Sequence, residues 1–331
     1  MNCFNRFVLN SSRRVAMPIA VYPGLTLTGA RVCDVVSNPE AQVEAQAVLH
    51  ERYQTPFVLS AMDLSAEAEA FGCPIHLSET EIPTVTGKLV TSLEQAQRLA
   101  IPAPGDKRTA VHLEAVRRLR KLPDRPLVFG GCIGPFSLAA RLAGVSEAME
   151  LTVTDPALMH RAVEKSAAFL TDYIKAFRSA GADGVLMAEP AAGLLSPRGM
   201  AAYSTAYIKQ IGAEVADGHF TLILHNCAAR ALHLPVILET GLKTFHFGAP
   251  MDLVQALGAV PSDVVLCGNL DPAGVFCQLP PGEVTARAGA LLAATAGHRN
   301  HVLSSGCDVP PNAPLASLDA FYAAVKAPNP D

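Results

Sequence analysis

The chain has 331 residues, half of them apolar and 17% charged, with 26 basic against 30 acidic residues for a formal net charge of -4. That composition excludes a disordered or solvating protein, and mild acidity without any long basic run argues against a nucleic-acid surface. No stretch approaches the roughly 18 uninterrupted apolar residues of a membrane helix. Eight cysteines without a CxxC pair lack the crowding of a disulfide framework, so a cytoplasmic enzyme with reduced thiols is expected.

Residues 1–55 read as an N-terminal extension packed on the rest of the chain. Their segment "RRVAMPIAVYPG" is broken by Pro18, Pro23 and Gly24 too soon for an export signal, and a helix is expected near 40–53. From residue 56 a rhythm sets in: a short apolar run, a Gly/Pro-marked loop, then a longer Ala/Leu-rich segment of helical spacing. The strand candidates are 56–63, 126–134, 184–190, 221–227, 244–250, 264–271 and 301–308. The 73–87 stretch "CPIHLSETEIPTVTG" reads as an insertion. Helices are expected at 108–121, 155–180, 200–216 and 283–296; in the second of these Asp155 caps, Pro156 suits the first turn and Gly181 ends the run.

Strands alternating with helices require a parallel sheet. The runs end in Asp63, Cys132, Glu189, Cys227, Asp271 and Cys307, and a closed (β/α)8 TIM barrel gathers such ends at one face, where its active sites lie. There is no GxGxxG after the first strand and no GxxxxGK[ST], which removes the usual marks of an open nucleotide-binding sheet. A single domain is expected, with the barrel over 56–331. Seven strands are visible and the eighth is unassigned.

The stretch "LILHNC" (222–227) carries the chemistry. Alternate residues of a strand share a face, so His225 and Cys227 project together. If the barrel closes, Cys307 reaches the same rim. One imidazole and two thiolates would hold Zn²⁺ with its fourth position open, a catalytic pattern that activates thiols. The competing reading is a hydrogen-bonded histidine and buried cysteines at strand ends, with Cys132 and Cys267 as rival ligands in tightly packed contexts. His233 is expected at the surface. His246 is expected as a satisfied barrel histidine, with a substrate role as the alternative. Asp63 and Glu189 should face the common mouth, where they could bind a ligand, act as general acid or base, or fill the open zinc position; capping of the next helix is the structural alternative. Asp271 is expected to shape its turn.

The segments "MDLSAEAEAFGCPI" (62–75), "GPFSLAARLAG" (134–144), "HNC" (225–227), "GNLDP" (268–272) and "SSGCDVPPNAPLASLDAF" (304–321) together resemble the uroporphyrinogen decarboxylase superfamily. They are most similar to its zinc-dependent, corrinoid-linked branch of the methylcobamide:coenzyme M methyltransferase type. The resemblance implies zinc on His225, Cys227 and Cys307, and it places Asp63 where the decarboxylases have a catalytic aspartate. It also implies methyl transfer between a thiol and a corrinoid borne by a partner protein, because no DxHxxG segment for a cobalamin domain is present. The decarboxylases' RQAGRY pattern is missing, and Cys307 stands at the position of their G-H-G histidine, which speaks against porphyrinogen decarboxylation. The remaining alternatives are transfer in the reverse direction, from a methoxy or methylamine donor to Co(I), and an idle corrinoid- or metal-binding barrel.

Overall fold

The structure, a computed structural model describing residues 1–326, contains a sheet of eight parallel strands with helices around it, a (β/α)8 barrel fold. The strands are β1 (Val15–Ala16), β2 (Phe57–Leu59), β3 (Leu127–Ile133), β4 (Gly184–Ala188), β5 (Thr221–Asn226), β6 (Thr244–Phe247), β7 (Val265–Leu270) and β8 (His301–Ser305). Their order is β1-β8-β7-β6-β5-β4-β3-β2. The barrel stretch expected to end at 331 therefore has its last five residues outside those described.

Strands β2 to β8 fall on the seven apolar runs. The eighth, β1, lies within the first 55 residues and pairs parallel with β8, Val15 opposite Val302 and Ala16 opposite Leu303. Between β1 and β2, two glutamines of the Pro39–Tyr53 helix take over the work of a ladder. The Leu59 N–H donates to Gln46 Oε1 at 3.2 Å and the Ala61 N–H to Gln42 Oε1 at 3.1 Å. Both glutamines are buried, and without them these backbone donors would be orphaned in the core.

The helix Cys3–Asn10 lies at the opposite end of the barrel from the strand C-termini. There Phe4 packs on Phe57 and Phe129, and Asn5 donates to the carbonyls of Lys243 and Asp263, just ahead of β6 and β7. The helix Pro156–Ser179 forms as its caps dictate: Asp155 accepts from the Leu158 N–H, Pro156 occupies the first turn, and Gly181 follows with φ +101°.

Strand alternation sorts the side chains into two cores. Leu186, Ala188, Ile223, Val265 and Val302 fill the barrel interior, whereas Val185, Met187, Leu222, Leu224, Phe245 and Phe247 pack outward under the helices. The same parity turns His225, His246 and Ser304 inward. The 73–87 insertion is a small antiparallel hairpin, Ile75–His76 with Thr84–Val85. Among the described residues no helix is long and apolar enough to cross a membrane.

Candidate metal centre

His225 is the penultimate residue of β5, Cys227 immediately follows that strand, and Cys307 lies two residues past β8. Strands β6 and β7 separate the two elements, and the curvature of the sheet brings them together. One ligand atom from each residue lies within 4.8 Å of the other two, and among the described residues these three form the one such cluster of histidine, cysteine and carboxylate groups. Two glycines permit the approach: a Cβ on Gly248 would collide with the Cys227 carbonyl, and one on Gly306 would stand 2.8 Å from the Ala249 nitrogen.

The electrostatics favour a cation. A hydrogen bond from Cys307 holds the Cys227 thiol below its ordinary pKa, while that bond and burial push Cys307 up to about 12. The two thiols are thus hydrogen-bonded to each other, and a divalent ion binding both sulfurs would displace their protons. His225 is buried; its Nδ1 lies 2.8 Å from His246 Nδ1, and its Nε2 has no hydrogen-bond partner among the described residues. A tetrahedral zinc with Zn–N and Zn–S bonds of about 2.0–2.3 Å requires ligand separations of roughly 3.5–3.8 Å, which shifts of about 1 Å or less give from atoms within 4.8 Å of one another. Three donors leave one position for an exchangeable ligand. The donor set and the orphaned imidazole nitrogen therefore fit zinc.

The cluster opens on a cavity of about 300 Å³. Its walls are largely apolar, with Ile19, Met62, Leu64 and Pro190 from the barrel and Ile82 and Pro83 from the hairpin insertion. Two charged residues that the sequence reading missed also line it. Arg141 is the one charged residue of the Pro135–Ala143 helix and makes no ion pair among the described residues; its isolation in an apolar helix was the available signal. Asp308 follows Cys307; both its carboxylate oxygens are buried without a hydrogen-bond partner among the described residues, and burial raises its pKa well above the usual carboxylate range.

Asp63 and Glu189, expected at the mouth, do not line this cavity. Asp63 is buried in an ion pair with Arg108, whose guanidinium also reaches Glu69 at 2.7 Å and Ser65 at 2.9 Å. Glu189 accepts from the Phe136 and Ser137 N–H groups, each at 2.9 Å, and from Ser204 Oγ at 2.8 Å, so it caps the helix Pro135–Ala143. Both carboxylates have their acceptor capacity committed to the scaffold. His233 is buried rather than at the surface, accepting from the Arg230 N–H and donating to the Leu195 carbonyl. Cys132 and Cys267 lie outside the cluster, and burial pushes both thiols up, which disfavours the thiolate a metal needs. Asp271 accepts from the Ala273 and Gly274 N–H groups and shapes its turn.

An inward-facing histidine and two cysteines at the strand C-termini define a (β/α)8 barrel with a candidate metal centre. The chain belongs to the uroporphyrinogen decarboxylase family: the family described as Uroporphyrinogen decarboxylase (URO-D) matches residues 14–328. Among its relatives is the methylcobamide:CoM methyltransferase MtbA of Methanosarcina mazei, 28% identical over 298 residues, covering 87% of this chain and 86% of the relative. A uroporphyrinogen decarboxylase of Ectopseudomonas mendocina is 27% identical over 317 residues, covering 92% and 88%. A solved structure titled as a methyltransferase from Methanosarcina mazei superimposes with a TM-score of 0.87 at 23% identity, covering 96% of each chain.

Proposed function

We propose that this chain, an enzyme of the methyltransferase class within the uroporphyrinogen decarboxylase family, moves a methyl group between a corrinoid carried on a partner protein and a small thiol. The observation that carries this reading is the His225–Cys227–Cys307 cluster opening on a cavity of about 300 Å³, the lower end of the range for small-molecule sites. Zinc held by these three residues would keep an incoming thiol as its thiolate at neutral pH while leaving it nucleophilic.

The protein's own groups supply the rest. The apolar walls exclude water around the sulfur, and the hairpin residues Ile82 and Pro83 narrow the approach. Arg141 offers a cationic contact for an acidic tail, which suits a thiol of the coenzyme M kind. In the forward direction a C–S bond forms as the methyl–cobalt bond breaks, both electrons of that bond staying on the corrinoid as Co(I). The committed roles of Asp63 and Glu189 fit methyl transfer to sulfur, which requires no carboxylate acid or base.

The test mixes the purified chain with methylcobalamin and a panel of thiols and follows the corrinoid absorption. Demethylation with an acidic thiol, lost in Cys307→Ala, is expected. Demethylation of a methoxy or methylamine compound by Co(I) corrinoid alone would reverse the direction. Release of carbon dioxide from uroporphyrinogen would establish decarboxylation instead. No reaction in any of these assays would leave the binding-protein reading.

A further inference from the structure

We propose that His246 and Ser304 are positioning residues that fix His225 in a single tautomer, protonated at Nδ1 and bare at Nε2, so that a lone pair faces the two thiols. The inference rests on the zinc reading for its purpose and on hydrogen-bond accounting for its content. The three side chains come from β5, β6 and β8 and all point into the barrel, so the chain of contacts runs across its interior.

Ser304 Oγ lies 2.5 Å from the Met17 carbonyl oxygen, which can only accept, so the single hydroxyl proton is spent there. The 2.8 Å contact between Ser304 Oγ and His246 Nε2 must then run the other way, with the imidazole donating. A neutral His246 protonated at Nε2 has a bare Nδ1. The 2.8 Å contact between the two Nδ1 atoms therefore requires the proton of His225, whose N–H is shared with the His246 carbonyl at 3.3 Å. His225 Nε2 is left without a proton and, among the described residues, without a hydrogen-bond partner.

Each link has one consistent direction because each begins from an atom with no choice. Were the chain broken, His225 could carry its proton on Nε2 and aim an N–H where the metal needs a donor pair. Outer partners of metal-bound histidines set ring orientation in this way, and their loss typically weakens metal binding by about 10–100-fold. The terminal acceptor belongs to the residue immediately after β1, so docking of the N-terminal strand and orientation of the histidine are one event.

Nitrogen-15 histidine spectra of the folded, zinc-free chain test the tautomer directly. The expected result is a proton on Nδ1 of His225 and on Nε2 of His246; a proton on His225 Nε2 overturns the proposal. Competition with a chromophoric zinc chelator tests the consequence. His246→Leu and Ser304→Ala should bind zinc about 10–100-fold more weakly, and His246→Asn, which can still accept from His225 Nδ1, should recover most of that loss. Wild-type affinity in Ser304→Ala, the milder variant, overturns the positioning role even if His246→Leu fails to fold. A wild-type chain that binds no zinc sinks the metal reading and leaves the tautomer result to stand or fall by itself.

Discussion

For His225 and its neighbours, chemistry follows from which way a strand residue points. His225, Cys227 and Cys307 converge on one site; Asp63 and Glu189 do not line its cavity. The cysteines were legible because a thiol at a strand end is conspicuous, and the histidine because it shares a strand face with Cys227. For Asp63 and Glu189 the alternatives stayed open in the sequence because a carboxylate at a strand end looks the same whether it faces the mouth, pairs with a buried arginine or caps a helix. Their partners, Arg108 and the Phe136 and Ser137 N–H groups, are distant in sequence. Two predictions separate these roles. His225→Ala and Cys307→Ala should reduce zinc to well below one per chain by elemental analysis, whereas Cys132→Ser should retain it. Glu189→Ala should keep its zinc yet lower unfolding free energy by about 2 kcal/mol or more in urea, since it orphans the Phe136 and Ser137 N–H groups and a buried unsatisfied donor costs roughly 1–3 kcal/mol. Loss of zinc with unchanged stability would return Glu189 to the site.

Among the elements, the seven longer strands were legible from apolar runs bounded by Gly and Pro. The eighth strand was not, because only two of its residues pair and two residues show no periodicity. The glutamine seam was equally hidden: Gln42 and Gln46 read as ordinary polar helix residues, yet they serve β2 as a partner strand would. Gln42 uses both ends of its amide, accepting from the Ala61 N–H and donating to the Val35 carbonyl. Gln42→Leu should therefore cost about 2–4 kcal/mol, two orphaned backbone groups at roughly 1–2 kcal/mol each, measured by denaturant midpoint at unchanged slope. Gly248 couples the strands to the metal centre. Gly248→Ala should displace the Cys227 segment, weakening zinc binding while destabilising the fold by only about 1–3 kcal/mol, the usual range for overpacking. Zinc affinity equal to wild type would show that the Cys227 loop yields without moving its sulfur.

For the whole molecule, buried groups with shifted pKa values shape the dependence of stability on pH, and Glu67 and His112 show the two signs. Burial pushes Glu67 up to about 8 from 4.5, only partly offset by the Ile133 N–H that it accepts, and burial pulls His112 down to about 4 from 6.5. Glu67 is raised, so its contribution is complete below pH 4.5 and is lost as pH rises through 8, because the folded chain holds a proton that the unfolded chain releases. His112 is lowered, so its contribution is complete above pH 6.5 and is lost as pH falls through 4. Between pH 4.5 and 6.5 these two contributions slope in opposite directions; buried His246 and His301 act in the sense of His112, and buried Asp308 and Glu189 in the sense of Glu67. Above pH 6.5 the contribution of Glu67 falls by about 1.4 kcal/mol per pH unit, and a substitution confined to Glu67 isolates it from the other buried carboxylates. Glu67→Gln keeps an acceptor for the Ile133 N–H and removes the titration. Urea melts should then show the difference between variant and wild type growing in the variant's favour by about 2 kcal/mol from pH 6.5 to 8. Parallel curves across that interval would mean that the folded chain already holds Glu67 ionised, with water or a cation satisfying its second oxygen.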